Sequence, residues 1–208
     1  MKDNISVALP KGRLAEDTIE LFIKNGICSN NVIDFNSRKL IFNDEENNIS
    51  FLLIRNMDIA TYVEYGAADL GVVGKDILAE TRSDVYEFMD LGFGYCRLAS
   101  ATMKNSENSY KQDMKVATKY PFLTKEFFAK KGFDVEVIKL YGSIEIAPIV
   151  GLSDFIVDLV STGETMKKNG LEEVETIMES TARLIGNKSL SRAKFLRIKE
   201  ILKLLGLN

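Results

Sequence analysis

Phe155-Ile156-Val157-Asp158-Leu159-Val160-Ser161-Thr162-Gly163-Glu164-Thr165-Met166 reads as a buried strand that carries an acid near its end and passes through a hydroxyl-rich turn into a helix. A strand, a short turn and a helix in that order is the repeating unit of an α/β fold. Consecutive N–H groups at a helix N-terminus form a concave anion site. Ser161, Thr162 and Thr165 add hydroxyl donors, and Gly163 lets the backbone approach a ligand. The same hydroxyls also serve as ordinary helix caps. One glycine alone does not decide between a phosphate cradle and a cap.

The alternation extends outward from this stretch. Upstream, Lys115–Thr118 reads as a strand, 121–131 as a helix with Pro121 in its first turn, Val135–Leu140 as a strand and Glu145–Val150 as helical. Earlier still, Ile5–Leu9 is an apolar strand, Pro10-Lys11-Gly12-Arg13 a turn, and Leu14–Asn25 a helix closed by Gly26. Lys39–Phe42 and Ile49–Ile54 read as strands around a polar turn, Asp58–Tyr65 as a helix, and Asp69–Val73 as a buried strand entering Gly74-Lys75-Asp76. Leu91–Met103 is apolar and β-rich, and Asn105–Asp113 is polar and predicts an exposed loop. The tail predicts one long strand over Glu173–Ile185 and a helix from about Ser191 to Leu205. The pattern predicts two α/β lobes with mostly parallel sheets. Residues 1–90 with 174–208 form lobe I, residues 91–173 form lobe II, and a cleft lies between them at the strands' carboxyl ends.

Composition narrows the chemistry. The 208 residues are 46% hydrophobic, enough for a sizeable core, and carry a net charge of −3. Nothing in that balance points to general nucleic-acid or membrane binding, so any phosphate site is local. No segment reaches the length of a membrane span, and the N-terminus has no secretory pattern, which predicts a cytoplasmic protein. The two cysteines, Cys28 and Cys96, do not suggest a disulfide framework. Histidine is absent, which excludes imidazole bases, histidine-ligated metals and Ser-His-Asp triads.

The spacing of Glu145, Gly151, Ser153, Ile156, Asp158, Thr162, Gly163, Thr165 and Met166 resembles the signature of the ATP phosphoribosyltransferase family. Four other blocks are similar to that family: Ala8-Leu9-Pro10-Lys11-Gly12-Arg13-Leu14, Ser37-Arg38-Lys39-Leu40, Arg55-Asn56-Met57-Asp58-Ile59 and Asp69-Leu70-Gly71-Val72-Val73-Gly74-Lys75-Asp76. The likeness runs from near the start to about residue 188. One departure is Ala60, where the family often has proline at a helix start. The family has a long form with a C-terminal regulatory domain and a short form without it; ending after one helix, the chain resembles the short form.

The resemblance implies a two-lobed fold like that of periplasmic binding proteins. It implies attack by N1 of the ATP adenine on C1 of phosphoribosyl pyrophosphate, releasing pyrophosphate, at the opening of histidine biosynthesis. It also implies Mg²⁺ bound mainly through the substrate pyrophosphate, with no dedicated protein metal site. Implied partners are a second copy of the chain and a regulatory subunit resembling a histidyl-tRNA synthetase, in a hetero-octamer. Glu145, Asp158, Ser161, Thr162, Gly163, Glu164 and Thr165 would hold phosphoribosyl pyrophosphate. Lys11, Gly12, Arg13 and Asp76 would meet ATP. Arg38 and Arg55 would be catalytic, Arg38 by reaching a neighbouring subunit's active site.

Plainer roles exist for each. Arg38 is equally a solvated charge, Arg55 a partner for Asp58, Lys11-Gly12-Arg13 a polar turn, and Asp76 or Glu145 a helix cap. The basic C-terminal helix is either docked on its own lobe or a contact for the regulatory subunit. A two-lobed solute binder and a phosphoribosyltransferase acting on another base are the competing functions, and fold alone does not separate them.

Overall fold

Buried β-branched and leucine residues along most of its length make the strand Ile5–Pro10 (β1) the spine of a six-stranded sheet. The computed structural model describes residues 4–104, 106 and 109–207. Helix Arg13–Lys24 (α1) follows β1 and buries Ala15, Thr18, Ile19 and Phe22. Strands Ile41–Asp44 (β2) and Ile49–Ile54 (β3) form an antiparallel hairpin, and β3 runs parallel to β1 with Pro10 level with Ile54. A 3-10 turn (Asn56–Asp58) leads into helix Ile59–Glu64 (α2). Strand Leu70–Gly74 (β4), fully buried, is parallel to β1 on its other side and feeds helix Lys75–Thr81 (α3).

The sheet is completed by Tyr86–Asp90 (β5) and by Ala182–Gly186 (β11), which returns from the far end of the chain; the order is β2-β3-β1-β4-β11-β5. Only the three central strands are parallel, because β2 closes a hairpin and β11 enters antiparallel to β4. The core contains Phe22 against Phe51, with ring centroids 6.3 Å apart. Helix Arg192–Leu204 (α7) docks through buried Ile198, Ile201 and Leu202, while Lys194 Nζ lies 2.8 Å from the Asp69 carboxylate. Of the apolar stripe expected on this helix, Leu196 faces solvent, 53% exposed.

The second sheet has the order β10-β6-β9-β7-β8. Its strands are Cys96–Met103 (β6), Met114–Thr118 (β7), Val135–Lys139 (β8), Phe155–Val160 (β9) and Leu171–Ser180 (β10). β9, β7 and β8 are parallel; β6 and β10 are antiparallel additions. Helices Pro121–Lys130 (α4), Ile146–Ile149 (α5) and Glu164–Lys168 (α6) connect them. The core is small-residue rich at Ala99, Ala101 and Ala117, with Ile156, Val160 and Met166.

The chain thus forms two compact units, 1–94 with 181–208 and 95–180. The crossovers fall later than residues 90 and 174, because β10 stays paired with β6 as far as Ser180. The single strand expected over Glu173–Ile185 is therefore two strands in two sheets, broken at Thr181, whose carbonyl accepts from Lys75 N–H at 3.0 Å and whose hydroxyl donates to Asp90 at 2.8 Å. The segment Asn105–Asp113 is also not simply an exposed loop, although Asn105, Glu107 and Asn108 lie outside the described residues. Tyr110 packs edge-on against Phe128 at 5.0 Å and tilts onto Phe155 at 5.2 Å.

Gly71 shows how tightly β4 is sandwiched. A Cβ there would sit 2.8 Å from Val63 Cγ2 and 2.9 Å from Ile59 Cγ2, both on α2. Gly71→Ala is expected to destabilise the protein by about 1–3 kcal/mol through overpacking, read as a lowered thermal unfolding midpoint.

Candidate active site

Three parallel strands of the second unit bring their carboxyl ends together, where open α/β sheets present ligands. β9 delivers Asp158 and then the turn Ser161–Gly163. Gly163 adopts φ 78°, ψ 2°, a left-handed conformation that glycine enters without a Cβ penalty, and it starts α6. No side chain caps α6. The nearest approach to a cap is Thr162 Oγ1, which accepts from Glu164 N–H at 3.4 Å, a long contact. Ser161, Thr162 and Thr165 are all exposed. The capping role for these hydroxyls is thus nearly absent, which leaves them available to a ligand. Glu164 pairs with Lys168 on the same short helix, at 3.7 Å.

Asp158 and Glu145 come together although they lie thirteen positions apart in sequence. Glu145 opens α5 without capping it and is half-buried. Asp158 is half-buried too, and its Oδ1 accepts from Leu159 N–H at 2.8 Å. Burial pushes its carboxyl up to about 6; the Leu159 hydrogen bond opposes this, Glu145 adds to it and Lys119 opposes it. A carboxyl raised by burial and a neighbouring charge is a candidate site residue. Just before Glu145, Ser143 holds a left-handed φ of 52°, the local backbone strain often found at such sites.

Two side chains of this unit escaped the sequence reading. Arg97 on β6 makes a two-point contact with Glu173, Nε–Oε1 2.8 Å and Nη2–Oε2 2.5 Å, and donates to the Ser161 carbonyl at 3.4 Å. With Lys104, Lys167, Thr162 and Gly163 it lines a cavity of about 370 Å³. Lys119, just after β7, acts on Asp158. Neither residue has a sequence signal, because strand pairing alone brings it to the turn. A larger cavity of about 580 Å³ lies at the opposite, amino ends of β7 and β9 and contains none of the expected ligand-binding residues.

The first unit gathers its own set. Lys11 follows β1, Arg55 follows β3 and Gly74 ends β4, so they share the carboxyl edge of the three parallel strands. Gly12, at φ 89°, starts α1 without a side-chain cap. Lys11 and Gly12 line a cavity of about 230 Å³ with Arg38, Ser37 and Lys39. Arg13 reaches only loosely toward Asp17, at 3.8 Å, with its side chain 91% exposed. Arg55 is exposed and forms no ion pair with Asp58. Asp76 differs from these residues: it is 2% exposed in the first turn of α3, inside the fold rather than on the edge.

The family model described as "HisG: ATP phosphoribosyltransferase" matches residues 55–206. The ATP phosphoribosyltransferase of Caldanaerobacter subterraneus subsp. tengcongensis is 55% identical over 200 residues, 96% of this chain and 95% of that protein. That of Geobacter metallireducens is 51% identical over 207 residues, 98% of this chain and 97% of that protein. Among solved structures, the ATP phosphoribosyl transferase (HisG:HisZ) complex from Thermotoga maritima superposes with a TM-score of 0.83 at 30% identity, covering 97% of this chain and 96% of that one. A protein of Archaeoglobus fulgidus, at 14% identity and a TM-score of 0.57, shares the fold alone. By its sequence relatives and its two-sheet α/β architecture, this chain belongs to the ATP phosphoribosyltransferase family.

Proposed function

We propose that the chain transfers the phosphoribosyl group of phosphoribosyl pyrophosphate to N1 of ATP, giving phosphoribosyl-ATP and pyrophosphate, as the first step of histidine biosynthesis. The observation that carries this reading is the uncapped hydroxyl-rich turn after β9, joined to the Asp158–Glu145 carboxylate pair, in a chain of this family. The turn holds the 5-phosphate through Ser161, Thr162, Thr165 and backbone N–H groups, and so orients the sugar. Asp158 and Glu145 accept hydrogen bonds from the ribose hydroxyls. Positive charge develops on the sugar as the bond to pyrophosphate breaks, so two carboxylates facing the ring favour that state.

The leaving group needs the opposite charge. Arg55 and Arg38 stabilise the departing pyrophosphate, while Lys11, Gly12 and Arg13 hold nucleotide phosphates. Asp76, being buried, supports the β4–α3 turn beneath them. Among the described residues, no cluster of three or more acids or cysteines is grouped as a metal cage. The Asp158–Glu145 pair supplies the one or two carboxylates that suit Mg²⁺ arriving on substrate phosphates. Mg²⁺ held mainly by the substrate would neutralise part of the pyrophosphate charge.

The match over nearly the full length of its relatives corresponds to the family's short form. The partner is a HisZ-type regulatory subunit, assembled with homodimers of this chain into a hetero-octamer in the cytoplasm. No helix among the described residues is long and apolar enough to cross a membrane. Mixing the chain, its partner, Mg²⁺, ATP and phosphoribosyl pyrophosphate should produce the ultraviolet absorbance of phosphoribosyl-ATP; its absence sinks the proposal. Thr165→Ala should weaken phosphoribosyl pyrophosphate binding by about 1–3 kcal/mol and leave ATP binding unchanged. An unchanged affinity for the sugar phosphate would assign Thr165 to local structure only.

A further inference from the structure

Arg97 passes over the acid nearest to it. In the β6–β10 register it lies opposite Glu179, where an ordinary cross-strand ion pair would form. Glu179 instead accepts from the Tyr95 hydroxyl at 2.9 Å. The Arg97 guanidinium runs along the sheet to Glu173, which stands opposite Ala101. β10 carries two bulges on this path, between Glu173 and Glu175 and between Thr176 and Met178. Bulges bend a strand and re-aim its side chains, and they are common next to active sites.

Glu173 takes one edge of the guanidinium, Nε at 2.8 Å and Nη2 at 2.5 Å, and Thr176 Oγ1 donates to the same carboxylate at 3.0 Å. The two charged side chains are 27% and 25% exposed, so they form a fixed fork rather than two solvated charges. This clamp directs the remaining arm, Nη1, to the Ser161 carbonyl at 3.4 Å. Ser161 is the residue after Val160, which lies opposite Arg97 across β6 and β9. The contact is long, and the guanidinium's charge gives it strength. A trans peptide is planar, and its carbonyl and N–H point in opposite directions. A cation on the Ser161 carbonyl therefore turns the Thr162 N–H the other way. The reverse orientation would present a carbonyl oxygen to phosphate oxygens, negative against negative.

We propose that Arg97 is a positioning residue of the phosphate turn: clamped by Glu173, its guanidinium holds the Ser161 carbonyl back and keeps the Thr162 N–H aimed at the 5-phosphate of the sugar. This inference rests on the phosphoribosyl reading above. A pair that only ties β6 to β10 would affect every ligand alike. A pair that sets the turn affects ligands that carry the 5-phosphate and spares pyrophosphate, the other end of the same substrate.

The test compares wild type with Arg97→Met, Glu173→Gln and the double variant, each with the regulatory partner and Mg²⁺, after thermal unfolding has established that each is folded. The readouts are inhibition by ribose 5-phosphate, inhibition by pyrophosphate, and KM for each substrate. In Arg97→Met, inhibition by ribose 5-phosphate should weaken about tenfold and KM for phosphoribosyl pyrophosphate should rise by about the same factor. Inhibition by pyrophosphate and KM for ATP should hold. Glu173→Gln, which keeps the shape of the clamp and loses its charge, should show about a threefold loss of the same kind. The double variant should be no worse than Arg97→Met, because Glu173 acts through Arg97. Unchanged inhibition by ribose 5-phosphate in Arg97→Met overturns the inference. So does an equal loss for ribose 5-phosphate and pyrophosphate, or a double variant in which the two losses add. Should Arg97→Met fail to fold, Glu173→Gln decides alone: a loss confined to ribose 5-phosphate and phosphoribosyl pyrophosphate supports the inference, and its absence overturns it. A wild-type chain that makes no phosphoribosyl-ATP overturns the functional reading and this inference with it; an active wild type with variants that behave like it overturns this inference alone.

Discussion

Arg55→Ala should lower kcat by about 10²–10³-fold, the usual loss when one donor to a developing anion is removed. Its thermal unfolding midpoint should stay within about 2 °C of wild type, because surface substitutions away from structural contacts change stability little. The contrast follows from the position. Arg55 is exposed at the end of β3, its backbone carbonyl accepts from Asp58 N–H at 2.9 Å, and its guanidinium makes no ion pair with the Asp58 carboxylate. Alanine removes charge and nothing that holds the fold. A lysine in its place would keep a point charge without the planar fork that matches phosphate oxygens, so Arg55→Lys should recover only part of the rate. If Arg55→Ala instead unfolds the protein while each folded molecule turns over normally, the arginine is structural and the catalytic assignment is wrong.

The parts of this fold that were legible share one property: the local pattern and the tertiary environment agree. Phe155–Val160 is apolar because β9 is central, and the glycine expected to open the next helix does so with a left-handed φ of 78°. Ile5–Pro10, Leu70–Gly74 and Pro121–Lys130 follow the same logic. Legibility failed where a long-range contact overrides the local pattern. Nothing in Glu173–Ile185 marks Thr181 as the point where the chain leaves one sheet for another; the partners that fix it, Lys75 and Asp90, are about a hundred residues away. Tyr110 sits in a polar run, and only the folded unit supplies Phe128, Phe133 and Phe155 around it. Tyr86–Asp90, a short and largely exposed run with acids at Glu87 and Asp90, becomes a strand because β11 pairs with it.

The candidate site divides in the same way. Residues carried on one turn, Ser161 to Thr165 or Lys11 to Arg13, are readable together because the turn itself assembles them. Arg97 reaches the Ser161 carbonyl because β6 pairs with β9, and Lys119, just after β7, acts on Asp158 because β7 pairs with β9 on the other side. Asp76 shows the converse: an acid beside a glycine at the start of a helix has the pattern of a ligand contact, yet burial to 2% exposure turns it inward.

Asp158→Asn should weaken phosphoribosyl pyrophosphate binding by about 10²-fold, since hydrogen bonds to a charged acceptor contribute roughly 1.5–3 kcal/mol each, and should at the same time stabilise the free protein near neutral pH. The two effects have opposite signs for one reason. Burial raises the folded carboxyl from an ordinary value near 3.8 to about 6, so the folded state resists ionisation more than the unfolded chain does. The stability associated with the protonated carboxyl is therefore fully present below about pH 4 and is lost as pH rises through 6. Asparagine keeps an oxygen for the Leu159 N–H and never ionises. Its advantage over wild type should be near zero at pH 4, grow between pH 4 and 6, and level off above, reaching on the order of 1–3 kcal/mol before screening by solvent reduces it. Thermal unfolding of both proteins across that range is the measurement. A gap that stays flat with pH would mean that Asp158 ionises normally, and a variant less stable at pH 8 would mean that its charge is held by partners rather than tolerated for binding. A site that sacrifices stability to keep a carboxylate charged where the ribose must dock is the trade expected of a binding residue and not of a structural one.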